Sequence, residues 1–259
     1  FSIPSEEGSA PGFLSDGKVL DLRDSPVVKG NRSPLANAIE NLHEDGVEAF
    51  DDIEKPTYEA DEVSLEAPVP SEGRVICLGG VYAQHLRERN DPLNQVPSQW
   101  IAPENSVIGQ DDSIVLSKNV VEKTMPAVEL GVVIGTKCRY ISEEEVSDVV
   151  AGYTVCNDIT ARTDWPGPMA YKLMDTFWPT GPAITPDSHV SNPMDLEMSL
   201  EKDGKEICRG TSASMRFSLS FVVSHVSSIF ELQPGDVISA GDPGGVGSAV
   251  EPGTEIKAI

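Results

Sequence analysis

The stretch from Pro126 to Pro182 sets charged side chains into sequence that otherwise reads as buried strand. It runs PAVELGVVIG, then YTVCNDITAR, then YKLMDTFWPTGP, and carries Glu129, Asp158, Lys172 and Asp175. An ionised carboxylate inside an apolar sheet is costly unless it is paired. One divalent cation can partner two or three of them at once. A chain with this pattern must fold so that these groups meet one another or a bound ion, and chemistry is sought here first.

The flanking sequence predicts an α+β fold that is mainly β. From Arg74 onward, short strand candidates follow one another at Val75–Leu78, Ser113–Leu116, Glu129–Ile134, Tyr153–Asn157, Leu196–Leu200 and Val237–Ala240, between Gly, Pro and Asp punctuation. Two helices are predicted within this rhythm. Ser142-x-x-Glu145 forms a capping box ahead of Val146, Val149 and Val150. The second helix, from Leu219 to Phe230, spaces Phe221, Val222, Val226 and Ile229 for a core face. Residues 1–70 read as a small N-terminal module, with a strand at Lys18–Leu22, a helical stretch from Leu35 to Asn41 and a linker at Pro68–Ser71. Residues 71–259 form the main domain. Phe1 is no initiator and Ile259 falls in mid-pattern, so the sequence is expected to be a piece of a longer chain.

Charge narrows the partners. Forty-two Asp and Glu against 19 Lys and Arg give a formal net charge of −23, which opposes nucleic acid and anionic membranes. The acids are scattered in short groups such as Glu143-Glu144-Glu145, a distribution that suits concentrated salt and predicts a halophilic source. Cys77, Cys138, Cys156 and Cys208 have no CxxC spacing and sit mostly in apolar stretches, so buried free thiols in a reducing cytoplasm are expected. The sequence shows neither a secretory leader pattern nor an apolar run long enough to span a bilayer.

The ordered motifs ICLGGVYAQHLRE, ELGVVIG, NDITAR, YKLMDTFWPTGP and GDPGGVG, from about Arg74 to about Gly247, resemble the core of the fumarylacetoacetate hydrolase family. Five motifs in order over that distance are specific where any one alone would be weak. The resemblance implies a C-terminal-domain-like mixed β-sandwich roll, a homodimer, and Mg²⁺ or Mn²⁺ as cofactor, with Ca²⁺ also admitted. It further implies action on a small 2-oxo or 1,3-dioxo acid, by C–C hydrolysis or keto–enol isomerisation through an enolate. Oxaloacetate-type decarboxylation, sugar-acid dehydration and a non-catalytic degenerate homologue are the alternatives.

By the same resemblance, Glu129 and Asp158 are metal ligands, and Lys172 balances them or stabilises an enolate oxygen. A solvent-facing strand-edge glutamate and a turn-capping aspartate remain the plain alternatives for the first two. His85 and Glu88 lie three apart, on one face if the segment is helical. The family makes them a catalytic dyad in which the carboxylate orients the imidazole and raises its basicity. Asp175 orients neighbouring loops. Gly241, Asp242, Gly244 and Gly245 belong to a loop whose amides receive a substrate carboxylate. Gly131 is expected to leave room for a ligand above Glu129's strand. Three positions depart from the family pattern: Ala127 stands where the first Glu of Glu-x-Glu belongs, Val81 where Asn is frequent, and Asp242 where Thr is usual. Glu122 and Asp175 are candidate replacements for the missing carboxylate.

Overall fold

The structure is a computed structural model and describes residues 1, 8–50, 53, 57–117, 121, 123–162, 172–245 and 249–259. It is organised by a seven-stranded mixed sheet. In spatial order its strands are Ser98–Ile101, Val75–Gly79, Val237–Ser239, Val128–Ile134, Val150–Asn157, Trp178–Pro186 and Val107–Ile108. The short strand 237–239 lies between two partners, parallel to 75–79 and antiparallel to 128–134.

Because side chains alternate across a strand, the sheet separates two apolar layers. Ile76, Leu78, Leu130, Val132, Ile134 and Ile238 join one cluster. It is completed by Val222 and Val226 of helix α3 (Leu219–Ile229) and by Met198 and Leu200 of a second, three-stranded sheet. Val75, Cys77, Val133 and Val237 join the opposite layer with Cys156, Phe177 and Trp178. Strand 128–134 is buried along its whole length, which explains its unbroken apolar sequence and leaves Glu129 inside a core layer.

The N-terminal residues form a three-stranded sheet (12–15, 18–21 and 57–59) and helix α1 (Pro34–Asp45). Ser33 caps α1 by accepting from the Ala36 N–H at 3.4 Å, with Pro34 in the first turn, where its missing N–H costs nothing. Leu22, Val27, Val28, Ala38 and Phe50 make a local apolar cluster. Ile39, on the same helix, is buried with Val75, Val133 and Val237, so α1 also covers the central sheet.

Several predicted elements differ in type or bounds. The Ser142 segment keeps its capping box but forms a 3-10 turn at Glu143–Asp148, because Val150 is already needed to open strand 150–157. Residues Ser113–Leu116 pair with no strand among the described residues. The Val115 N–H is instead given to Thr176 Oγ1 at 2.8 Å, and the Val115 side chain is exposed. Helix α3 ends one residue early, at Ile229.

An ion pair between buried Asp236 and half-buried Arg74 fixes where the parallel strands start. Asp236, fully buried, accepts from the Arg74 N–H and Nε with one oxygen and from Arg74 Nη2 (2.5 Å) and the Gln233 N–H with the other. Gly235 adopts φ +87° beside it, and a Cβ there would lie 2.2 Å from Pro70 Cγ, so the turn accepts only glycine. Replacing Asp236 by Ala is expected to cost about 1–3 kcal/mol by leaving the Arg74 and Gln233 amides without their acceptor. Urea unfolding of the two proteins measures it; a loss below about 1 kcal/mol would show that the turn holds without the pair.

Candidate active site

The candidate groups gather where strands 128–134, 150–157 and 237–239 end and helix α2 (Ala83–Glu88) approaches them. Glu129 pairs across the sheet with Cys156, while the Asp158 N–H donates to the Ala127 carbonyl at 2.8 Å. Ala127, the position of the missing glutamate, is therefore Asp158's immediate neighbour. Glu129 and Asp158 are each only 2% exposed.

Each carboxylate has partial compensation. Glu129 Oε2 accepts from Ser239 Oγ at 2.5 Å and from the Gly241 N–H at 3.1 Å. Burial, followed by the nearby charges of Asp158 and Asp242, still holds its pKa well above the usual value. The Lys172 ammonium donates to Asp158 Oδ2 and, at 2.8 Å, to Thr160 Oγ1. It also lies 5.7 Å from the centre of the Trp100 ring. Burial raises the Asp158 pKa and Lys172 opposes the rise. Asp158 Oδ1 and the Tyr82 hydroxyl are buried and have no hydrogen-bond partner among the described residues.

That unpartnered anionic oxygen, beside a second buried carboxylate, is donor chemistry that fits a hard divalent cation. Among the described residues no three His, Cys, Asp or Glu side chains converge on one point, so the chain offers no closed cage. Mg²⁺ and its relatives bind well through one or two carboxylates, with water and substrate completing the shell.

The second layer differs from expectation. His85 Nδ1 faces Asp242 Oδ1 at 3.0 Å, so the carboxylate it meets is not that of Glu88. Glu88 is turned to the glycine loop, where both its oxygens accept from the Gly245 N–H, at 3.0 and 2.9 Å, and it also accepts from Gln84 Nε2. The Gly244 N–H donates to Asp242 Oδ1 at 2.8 Å. Loop amides expected to receive a substrate carboxylate are thus occupied by the chain's own. The cause is proximity: a Cβ on Gly244 would lie 3.1 Å from both the His85 N and Glu88 Oε2, and φ there is +91°.

Other expectations separate. Gly131 leaves no ligand space, since a Cβ would meet Thr154 Cγ2 at 2.8 Å and Cys156 Sγ at 3.0 Å; it allows close strand packing instead. Asp175 is exposed and accepts from Asn105 Nδ2, tying the turn before strand 178–186 to the one at Glu104–Ser106. Val81 is 1% exposed and packs in the core. Glu122, Val246 and Gly247 lie outside the described residues. Ser239, Thr160, Trp100 and Tyr82 were not anticipated. Ser239 had a signal in the sequence, a hydroxyl at an inward strand position beside the glycine loop.

The fold and these gathered acid–base groups define an enzyme of the hydrolase and isomerase class. Residues 74–258 match the fumarylacetoacetate (FAA) hydrolase C-terminal family. A 2,4-didehydro-3-deoxy-L-rhamnonate hydrolase from Sphingomonas sp. (strain SKA58) is 35% identical over 250 residues, covering 93% of this chain and 82% of the relative. The chain belongs to the fumarylacetoacetate hydrolase family. Among solved structures, maleylpyruvate hydrolase from Sphingobium sp. SYK-6, in complex with manganese(II) and pyruvate, superposes with a TM-score of 0.80. It is 27% identical and the match covers 98% of this chain and 92% of that one. A 2-hydroxyhepta-2,4-diene-1,7-dioate isomerase from Mycobacterium marinum matches with a TM-score of 0.73 at 25% identity, covering 93% and 82%.

A raised carboxyl pKa has a defined sign in stability. Folded Glu129 keeps its proton at pH values where the unfolded chain has lost it, so the folded state binds more protons and stability falls as pH rises through that window. In the presence of chelator, the wild type should lose stability relative to Glu129→Gln as pH rises above the ordinary glutamate value of 4.5. The slope is up to about 1.4 kcal/mol per pH unit. Parallel denaturation midpoints for the two proteins over about pH 4–8 would contradict a raised Glu129.

Proposed function

We propose that the protein is a divalent-metal-dependent hydrolase or isomerase acting on a small 2-oxo or 1,3-dioxo acid. The observation that carries this is the buried Glu129–Asp158 pair, with one Asp158 oxygen left unpartnered among the described residues. The manganese and pyruvate held by the Sphingobium relative support both ligand classes. Glu129 and Asp158 would hold Mg²⁺ or Mn²⁺. When bound, the ion supplies Lewis-acid polarisation of adjacent substrate oxygens.

The chain's own residues divide the remaining work. His85 takes a proton from water for C–C hydrolysis, or from a substrate carbon for isomerisation, and returns it. Lys172 neutralises Asp158 and sets positive charge where an oxyanion develops. Trp178 holds the Lys172 backbone by donating Nε1–H to its carbonyl at 3.0 Å. A second reading, a non-catalytic relative, draws on one observation: Ala127 removes a carboxylate beside Asp158.

Calorimetric titration with Mn²⁺ and Mg²⁺, and assays of an acylpyruvate and oxaloacetate with and without chelator, separate the two. Chelator-sensitive turnover of the acylpyruvate is expected. Glu129→Ala should abolish metal binding, whereas His85→Ala should keep the metal and lose about 10²–10⁴-fold in rate. Absence of metal binding at about 1 mM together with no turnover of either compound favours the non-catalytic reading.

The wider setting belongs to the same proposal. The protein works as a homodimer in a reducing cytoplasm, consistent with free Cys77, Cys138, Cys156 and Cys208 and with apolar Leu93, Val96 and Val115 exposed on its surface. No helix among the described residues is long and apolar enough to cross a membrane. Its scattered acidity suits concentrated salt. The thermal midpoint should therefore rise between low salt and about 2 M KCl as self-repulsion is screened; full stability at low salt would remove the halophilic setting.

A further inference from the structure

The geometry points to an exchange of partners at the catalytic histidine: Asp242, not Glu88, is the residue that positions His85, and Glu88 instead latches the glycine loop to helix α2. This rests on the reading of His85 as the base, but its first test does not depend on turnover.

Two contacts between α2 and the glycine loop carry the inference. His85 Nδ1 and Asp242 Oδ1 are 3.0 Å apart, and the Asp242 side chain is 9% exposed against 27% for His85. A sheltered carboxylate at that distance keeps the imidazole proton on Nδ1 and leaves the Nε2 lone pair free to accept a proton. Asp242 is itself aimed by the Gly244 N–H at 2.8 Å and follows Gly241, whose N–H holds Glu129. One short segment thus orients both a metal-ligand candidate and the base.

Glu88 is committed elsewhere. Its two oxygens share the Gly245 N–H at 3.0 and 2.9 Å, and Gln84 Nε2 donates to it at 3.0 Å from the preceding turn. A carboxylate in that setting anchors backbone. The substitution of a threonine by aspartate in the loop thereby becomes functional: it delivers the orienting carboxylate from the glycine loop and leaves Glu88 free to latch that loop to α2.

The experiment reads the histidine tautomer by ¹⁵N NMR of the imidazole nitrogens at about pH 8, above the ordinary histidine range. His85 is assigned among the chain's four histidines by its loss in His85→Asn. His85 should be the Nδ1–H form in the wild type and in Glu88→Gln, and should move towards the Nε2–H form in Asp242→Ala. If Asp242→Ala fails to fold, Asp242→Leu, which fills the same space without an acceptor for Nδ1–H, gives the same reading. A wild-type Nε2–H form, or a tautomer that changes in Glu88→Gln and not in the Asp242 variants, overturns the inference.

Kinetics supply the second readout. Asp242→Ala should lower kcat about 100-fold, the range of a mispositioned base, with Asp242→Glu restoring part of it. Glu88→Gln should act mainly by raising KM. The reverse split would return the positioning role to Glu88. An Nδ1–H tautomer in a protein that turns over no oxo acid would leave the pairing standing and remove the proposed reaction.

Discussion

Two carboxylates buried in the middle of a sheet are the constraint that the rest of this structure answers. Glu129 and Asp158 are almost fully hidden, close enough for the Asp158 charge to raise the Glu129 pKa, and flanked by core side chains such as Cys156 and Ile159. An isolated charge would not survive there. The chain surrounds the pair with Lys172, the Ser239 hydroxyl and the Gly241 amide, contributed from distant parts of the sequence. Even so, Asp158 Oδ1 remains without a donor among the described residues. Stability and reactivity therefore meet at one place, because what would complete the electrostatics is also what would begin the chemistry.

How far the sequence discloses this depends on the range of the interactions. The strand bearing Glu129, the end of the Asp158 strand and helix α3 follow from local pattern, since their burial is written in continuous apolar residues. The partner of His85 is not written locally. Helical spacing favours Glu88, and the outcome is decided by a loop 157 residues away that packs against α2 through positive-φ glycines. Gly131 misleads for the same reason: the space above it is filled by Thr154 and Cys156 from the neighbouring strand. Ser113–Leu116 has strand-forming composition, but its Val115 N–H goes to the Thr176 hydroxyl and not to a neighbouring strand, so composition yields to tertiary context.

Departures from the family pattern acquire meaning together. Ala127 lightens the negative charge beside Asp158, whereas Asp242 adds a carboxylate within electrostatic reach of Glu129 and Asp158. The number of acids around the site is conserved while their positions change. Val81 fills its position with core packing where an amide would demand partners.

The placement of strand 237–239 has a consequence for how the molecule comes into being. It is the middle member between strands 75–79 and 128–134, yet it is made last of the three, and the Arg74–Asp236 pair that sets its start joins residues 162 apart. During synthesis the emerging chain must hold two unpaired strand edges facing a gap until that segment leaves the ribosome. Contacts of such sequence separation slow folding and leave β edges exposed to other chains. The residues that complete the catalytic wall, Ser239 and Gly241, arrive with the same segment. Closing the sheet and assembling the site are thus a single late event, and an unfinished chain has neither.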